Sequence, residues 1–115
     1  MSSVPPPNDE LAELSSVLGE DNVRTLVRTF LRDFPISFAE LGGPGERKNR
    51  HRISHSMKSN ARLMGAHALS QRMADLEYRL ENPSGGDITV EDLTLIQHDF
   101  EAVASPLRAF VGTSP

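Results

Sequence analysis

Apolar residues recur along this chain at steps of three and four, and nowhere alternate with polar ones in the two-residue rhythm of a strand. Five helical segments follow from that pattern. Leu11, Leu14 and Leu18 share one side of the first, at 9–18, which Gly19 ends. The second, at 21–41, carries Val23, Leu26, Val27, Phe30, Phe34, Phe38 and Leu41, with Arg24, Arg28 and Arg32 largely on its wet side. Pro35 falls inside it, where the ring removes the donor to the Leu31 carbonyl and predicts a bend. The run "GGPG" stops that segment. The third, at 46–64, presents Ile53, Met57, Ala61 and Met64 before Gly65 breaks it, and the fourth, at 66–81, presents Leu69, Met73, Leu76 and Leu80. After the loop "NPSGGD", Thr89 with Asp92 three residues on predicts a reciprocal cap. The last helix, to about residue 111, then shows Leu93, Ile96, Phe100, Val103, Leu107 and Phe110 along one seam.

Four long amphipathic helices on short connections predict an all-α fold, an antiparallel up-down-up-down four-helix bundle with the short first helix covering one end. The expected organisation is a loose proline-rich tail at 1–8, the helical domain at 9–112 and a tail at 113–115. A chain of 115 residues suits one domain, and a monomer is the default for a closed bundle. No apolar run approaches the ~20 residues needed to cross a bilayer. The opening "MSSVPPPNDE" has neither the basic start nor the apolar stretch of a secretory leader. The absence of cysteine removes disulfide and thiol chemistry and fits a reducing, cytoplasmic setting.

The distribution of charge singles out one segment. The formal net charge of −4 argues against general nucleic-acid binding. Residues 46–62, however, hold Arg47, Lys48, Arg50, Arg52, Lys58 and Arg62 against Glu46 alone, a balance of +5. Residues 66–101 hold eight acids against Arg72 and Arg79. A basic segment within an acidic chain suggests a localised anionic partner, or else a solvated helix face.

Within that segment His55 lies two residues from both Ile53 and Met57, a rotation of about 200° from the apolar stripe. Lys58 and Ser59 stand three and four residues on, beside it on the exposed side, with Arg62 one turn beyond. An imidazole with a pKa near about 6.5 is mostly neutral at cytoplasmic pH and keeps a lone pair for attack. A neighbouring ammonium favours a transferred phosphoryl group by roughly 1–4 kcal/mol at surface-like screening. An exposed nucleophile, a cation and an open approach together describe a phosphoryl way-station, with a plain surface histidine as the alternative. His51, one turn earlier, gives "HRISH", which has the spacing of two metal ligands on a helix. It lacks the adjacent glutamate of a zinc-protease helix and the Glu-x-x-His pair of a di-iron bundle, so no metal is expected and His51 reads as a rim residue. His67 and His98 read as surface residues. The run "LGGPGER" lacks the Gly-Lys-Ser/Thr ending of a nucleotide loop, so nucleotide-driven catalysis is not expected.

The stretch "HSMKSNARLMGA" resembles the signature of histidine-containing phosphotransfer (HPt) domains: a histidine, a lysine three residues later, a small residue next, and a glycine ten residues after the histidine. The likeness extends over about residues 9–111, through "LGED", "FLRDFP" and "LSQRMADLE" in the family's order. The resemblance implies that His55 is the phosphoacceptor, that Lys58 orients and neutralises the phosphate, and that Gly65 closes the helix. It also implies a polar partner for the ring at Glu77, on the facing turn of the fourth helix. Ser59 occupies the position where the family usually has glycine.

The partners implied are response-regulator receiver domains or a hybrid sensor kinase, with magnesium held by the receiver and no cofactor in this chain. His51, Lys48, Arg52, Ser59 and Arg62 are expected to meet the receiver's acidic rim, and the apolar residues of the short first helix to complete the docking surface. The expected role is a free-standing phosphorelay shuttle, a carrier and not an enzyme. Two alternatives remain: a non-phosphorylated adaptor that binds and inhibits a receiver or kinase, and a metal-binding or purely structural bundle. Neither nucleic acid nor membrane is expected as a partner.

Overall fold

Five helices form where the apolar steps put them: α1 (Asp9–Leu18), α2 (Glu20–Gly42), α3 (Arg47–Leu63), α4 (His67–Glu81) and α5 (Val90–Val111). They come from a computed structural model that describes residues 4–112, and among those residues there is no strand. The tail expected at 113–115, and the first three residues of that expected at 1–8, lie outside the described residues.

Local chemistry fixes the helix ends. Asn8 caps α1, its Oδ1 accepting the Leu11 N–H at 2.9 Å, while its Nδ2 donates to the Met64 carbonyl at 2.8 Å. Asn8 therefore belongs to the folded domain and not to a loose tail. Gly19, at φ +90°, both ends α1 and precedes α2. The predicted cap of α5 is present in both directions: Thr89 Oγ1 accepts the Asp92 N–H at 3.1 Å and the Asp92 carboxylate accepts the Thr89 N–H at 2.8 Å. The helical ladder runs through Pro35 in α2 and Pro106 in α5 without ending either helix. Both prolines are exposed.

The α3 terminus is a Schellman motif. The Gly65 N–H donates to the Arg62 carbonyl at 3.0 Å and the Ala66 N–H to the Ala61 carbonyl at 2.9 Å, with Gly65 at φ +73°. A side chain here would be strained by that φ, and its Cβ would fall 2.5 Å from the Asn8 side chain.

The apolar stripes face one another. α2 packs on α3, α3 on α4, α4 on α5 and α5 on α2, while α1 rests on α2. Ile53, Met57 and Ala61 of α3 and Leu69, Met73, Leu76 and Leu80 of α4 are buried together with Val23, Val27, Ile96 and Leu107. The Phe34 and Phe100 rings stack at 4.3 Å and Phe30 joins them at 5.9 Å from Phe100. The α3–α4 contact is the most extensive, and the pairings Arg47–Leu80, His55–Glu77 and Lys58–Ser70 show that the two helices run antiparallel. The guanidinium of Arg47, at the start of α3, donates to the carbonyls of Leu80, Arg79, Asn82 and Gly85 at 2.7–3.0 Å, which satisfies the open end of α4.

Two details depart from the sequence pattern. Leu18 is exposed, not packed with Leu11, because α1 is short and its last turn overhangs the core. Arg24 is not on the wet side: its guanidinium lies 4.8 Å above the Phe110 ring and donates to the Phe110 carbonyl at 3.2 Å. Arg28 does the same for the Val111 carbonyl at 3.3 Å, so the two arginines cap the carboxyl end of α5.

Gly65→Ala is expected to lower the unfolding free energy by about 1–3 kcal/mol in urea titrations. The loss should be smaller when the same change is made in an Asn8→Ala background, where the side chain it would strike is gone.

Candidate functional site

The α3–α4 contact brings His55, Lys58 and Glu77 together. His55 and Lys58 stand one turn apart on α3, and Glu77 of α4 lies across from both. Glu77 Oε2 is 2.5 Å from His55 Nδ1 and Glu77 Oε1 is 2.5 Å from Lys58 Nζ. One carboxylate thus binds both side chains. Exposure sorts their roles: the His55 side chain is 60% exposed, whereas those of Glu77 and Lys58 are 13% and 19% exposed. The ring stands in solvent on a half-buried support.

The ionisation state of Glu77 decides the tautomer of the ring. Burial alone would raise the Glu77 pKa, but hydrogen bonds from Lys58 and His55, with the charge of each, outweigh it and the net direction is down. Glu77 is therefore ionised near neutrality and can only accept. His55 Nδ1 must carry a proton and donate it. In the neutral ring the lone pair is then on Nε2, the nitrogen away from the carboxylate.

The rest of the basic segment divides in two. Arg47 binds the end of α4, and Arg50 makes a paired contact with Asp87 at 2.8 and 3.0 Å. That guanidinium holds the Asp87 carboxyl below its ordinary range. Lys48, Arg52 and Arg62 are exposed, and among the described residues none of the three has an ion-pair partner. Arg52 hydrogen-bonds only the neighbouring Asn49 side chain. His51 is half-buried, its Nε2 3.9 Å from Glu81 Oε2 and without a hydrogen bond. The His51–Glu81 approach repeats that of His55 and Glu77 one turn along. His67 pairs with Glu10 of α1 at 3.0 Å, and His98 is exposed beside Asp99.

Ser59 is exposed, and its hydroxyl donates back to the His55 carbonyl at 3.2 Å, away from the ring. Beyond it, Arg62 borders a groove of about 520 Å³ between α1 and α3, whose apolar wall includes Leu14, Val17, Leu18 and Leu63. Val17 is 79% and Leu63 47% exposed, large values for apolar side chains beside a charged site. Among the described residues there is no cluster of three or more side chains able to hold a metal ion, and no helix long and apolar enough to cross a membrane.

No protein-family model, curated protein or solved structure matches the chain. The site is read from its chemistry.

Two contributors were missed in the sequence. Leu63 lies off the stripe formed by Ile53, Met57, Ala61 and Met64, and an off-stripe leucine among bases was the available signal. Ser70 donates to the Lys58 carbonyl at 3.1 Å from a buried position on α4. No sequence pattern marks that bond.

Glu77→Gln should leave the fold intact and lower stability by about 1–2 kcal/mol at pH 7, since Lys58 keeps a weaker partner. The sign of the pH dependence follows from the depressed Glu77 pKa. Its contribution is fully present above the ordinary glutamate value of 4.5 and is lost as pH falls through the lower folded value. Urea titrations at pH 7, 5 and 3 should show the gap between wild type and Glu77→Gln closing at the acid end.

Proposed function

We propose that the chain is a histidine phosphocarrier of a two-component phosphorelay, accepting a phosphoryl group on His55 from a receiver-domain aspartate or passing one to it. One observation carries the reading: an exposed imidazole donates through Nδ1 to an ionised carboxylate, which leaves Nε2 as an outward nucleophile beside Lys58. The fold is read with it as an antiparallel four-helix bundle of α2 to α5, with α1 as the covering helix. The closed circuit of helix contacts and the antiparallel α3–α4 pair support that reading. So does the resemblance of "HSMKSNARLMGA" to the HPt signature.

In the proposed step the Nε2 lone pair attacks the phosphorus of an aspartyl phosphate in line. The N–P bond forms as the acyl P–O bond breaks, and the aspartate leaves as its carboxylate. The Nδ1 proton stays in its bond to Glu77, where the carboxylate offsets the positive charge that gathers on the ring. Lys58 faces both Glu77 and the incoming phosphoryl oxygens, and transfers part of its hydrogen bonding from one to the other as charge moves. Magnesium would belong to the receiver and would supply charge neutralisation there. Lys48 and Arg52 on one flank attract the receiver's acidic rim, and the α1–α3 groove with Ser59 and Arg62 on the other gives an apolar seat.

Mixing the protein with a phosphorylated receiver should give an acid-labile, base-stable label on the wild type and none on His55→Ala. Retained receiver binding with no label on either protein would replace the carrier by an inhibitory adaptor. Lys58→Ala is expected to slow transfer by about 10- to 100-fold with an unchanged circular-dichroism spectrum. Ser59→Gly should maintain or raise the rate, because the serine hydroxyl is turned away from the ring.

A further inference from the structure

The two contacts of Glu77 depend on how closely α4 lies against α3, and that separation has a structural origin. On α3, helical spacing sets Ser54 and Ala61 on the same side as Arg47, His51 and Lys58, whose side chains reach α4. Ala66, the cap of α4, and Ser70 and Ala74 within it lead at steps of four to Glu77, three residues further on. Beside the apolar stripes, the facing surfaces thus carry a row of small side chains, with the charged groups at intervals along it. Ser54 and Ser70 are the buried polar residues of the described chain. The Ser54 hydroxyl closes within its own helix, on the Arg50 carbonyl at 2.8 Å. That of Ser70 crosses between helices to the Lys58 carbonyl.

The geometry points to Ser70 as a positioning residue: its small side chain, seated against α3 at the Lys58 backbone, sets the α3–α4 spacing at which Glu77 holds both His55 and Lys58. Ser70 precedes Glu77 by two turns on the same side of α4, a rise of about 10 Å. It touches α3 at the residue whose ammonium Glu77 also binds. A shift of α4 there is carried along a stiff helix to the carboxylate. Hydrogen bonds weaken steeply once heavy-atom distances pass about 3.2 Å, so widening the gap by 1 Å breaks contacts now at 2.5 Å. Ser70 is 7% exposed, which leaves no outward path for a larger side chain. The effect on the ring's tautomer needs nothing beyond this packing. Only the consequence for transfer rate rests on the phosphocarrier reading.

The measurement is a long-range ¹H–¹⁵N spectrum of the His55 ring, which reports which nitrogen is protonated, read beside the phosphotransfer rate and urea stability. Wild type and Ser70→Ala should show protonated Nδ1, since alanine keeps the close approach. Ser70→Leu should show the mixed tautomers of an unrestrained ring and transfer at least about tenfold more slowly. Leu107→Ala, a cavity near the carboxyl end of α5 that Arg24 and Arg28 cap, should lose stability yet keep the Nδ1 signal. Ser70→Val, a smaller wedge, carries the same readout where the leucine variant does not fold. Protonated Nδ1 retained in folded Ser70→Leu or Ser70→Val overturns the assignment, as does equal disturbance in Leu107→Ala. A tautomer change in Ser70→Leu with no phosphoryl transfer in wild type leaves Ser70 as a positioning residue and removes the carrier function.

Discussion

A single carboxylate, Glu77, is bound at once by an imidazole and an ammonium from the neighbouring helix, and the chemistry of the surface is organised around it. Desolvation works against the ionised form, and the two donors prevail. The same balance fixes the proton on the inner ring nitrogen and draws Lys58 close to the ring. An exposed histidine without such a support samples both tautomers and many rotamers. Here the ring is exposed and oriented together, which places the demand for precision on the half-buried side of the contact.

The basic segment is best understood as two populations with different work. Arg47 closes the open carbonyls of α4 and Arg50 holds the loop after it through Asp87. These are structural cations, each matched to internal acceptors. Lys48, Arg52 and Arg62 carry charge that nothing in the described fold neutralises. The positive field at the surface is therefore weaker than the local count of bases suggests, and is split to either side of His55. A split field favours one orientation of an approaching acidic surface over its reverse.

Helix positions were legible in the sequence because the apolar spacing, the glycine stops and the Thr89–Asp92 cap all agreed with one another. The stripes of α3 and α4 are buried residue for residue where the period puts them. Periodicity assigns a residue to a side of its own helix and says nothing of what lies opposite. Arg24, read as wet, instead covers Phe110, since nothing local reveals that the end of α5 stops beside it. Leu18 fits the stripe of α1 and yet stands in solvent for want of a facing helix. At the site, His55 and Lys58 were legible through their mutual spacing, and Glu77 through the hairpin that brings α4 back. Asn8 and Ser70 were not, because each acts through a backbone carbonyl on a remote segment, and a carbonyl has no letter in the sequence.

The groove beside the site has a fixed gauge. α1 is pinned at its front by Asn8, which grips the Met64 carbonyl of the α3 terminus, and at its back by Gly19, the one residue separating it from α2. Buried Leu11 resists rotation of the rod about its own axis. On the proposed docking, a visiting surface would meet walls whose separation is already set, so that its selection would turn on shape at the moment of contact.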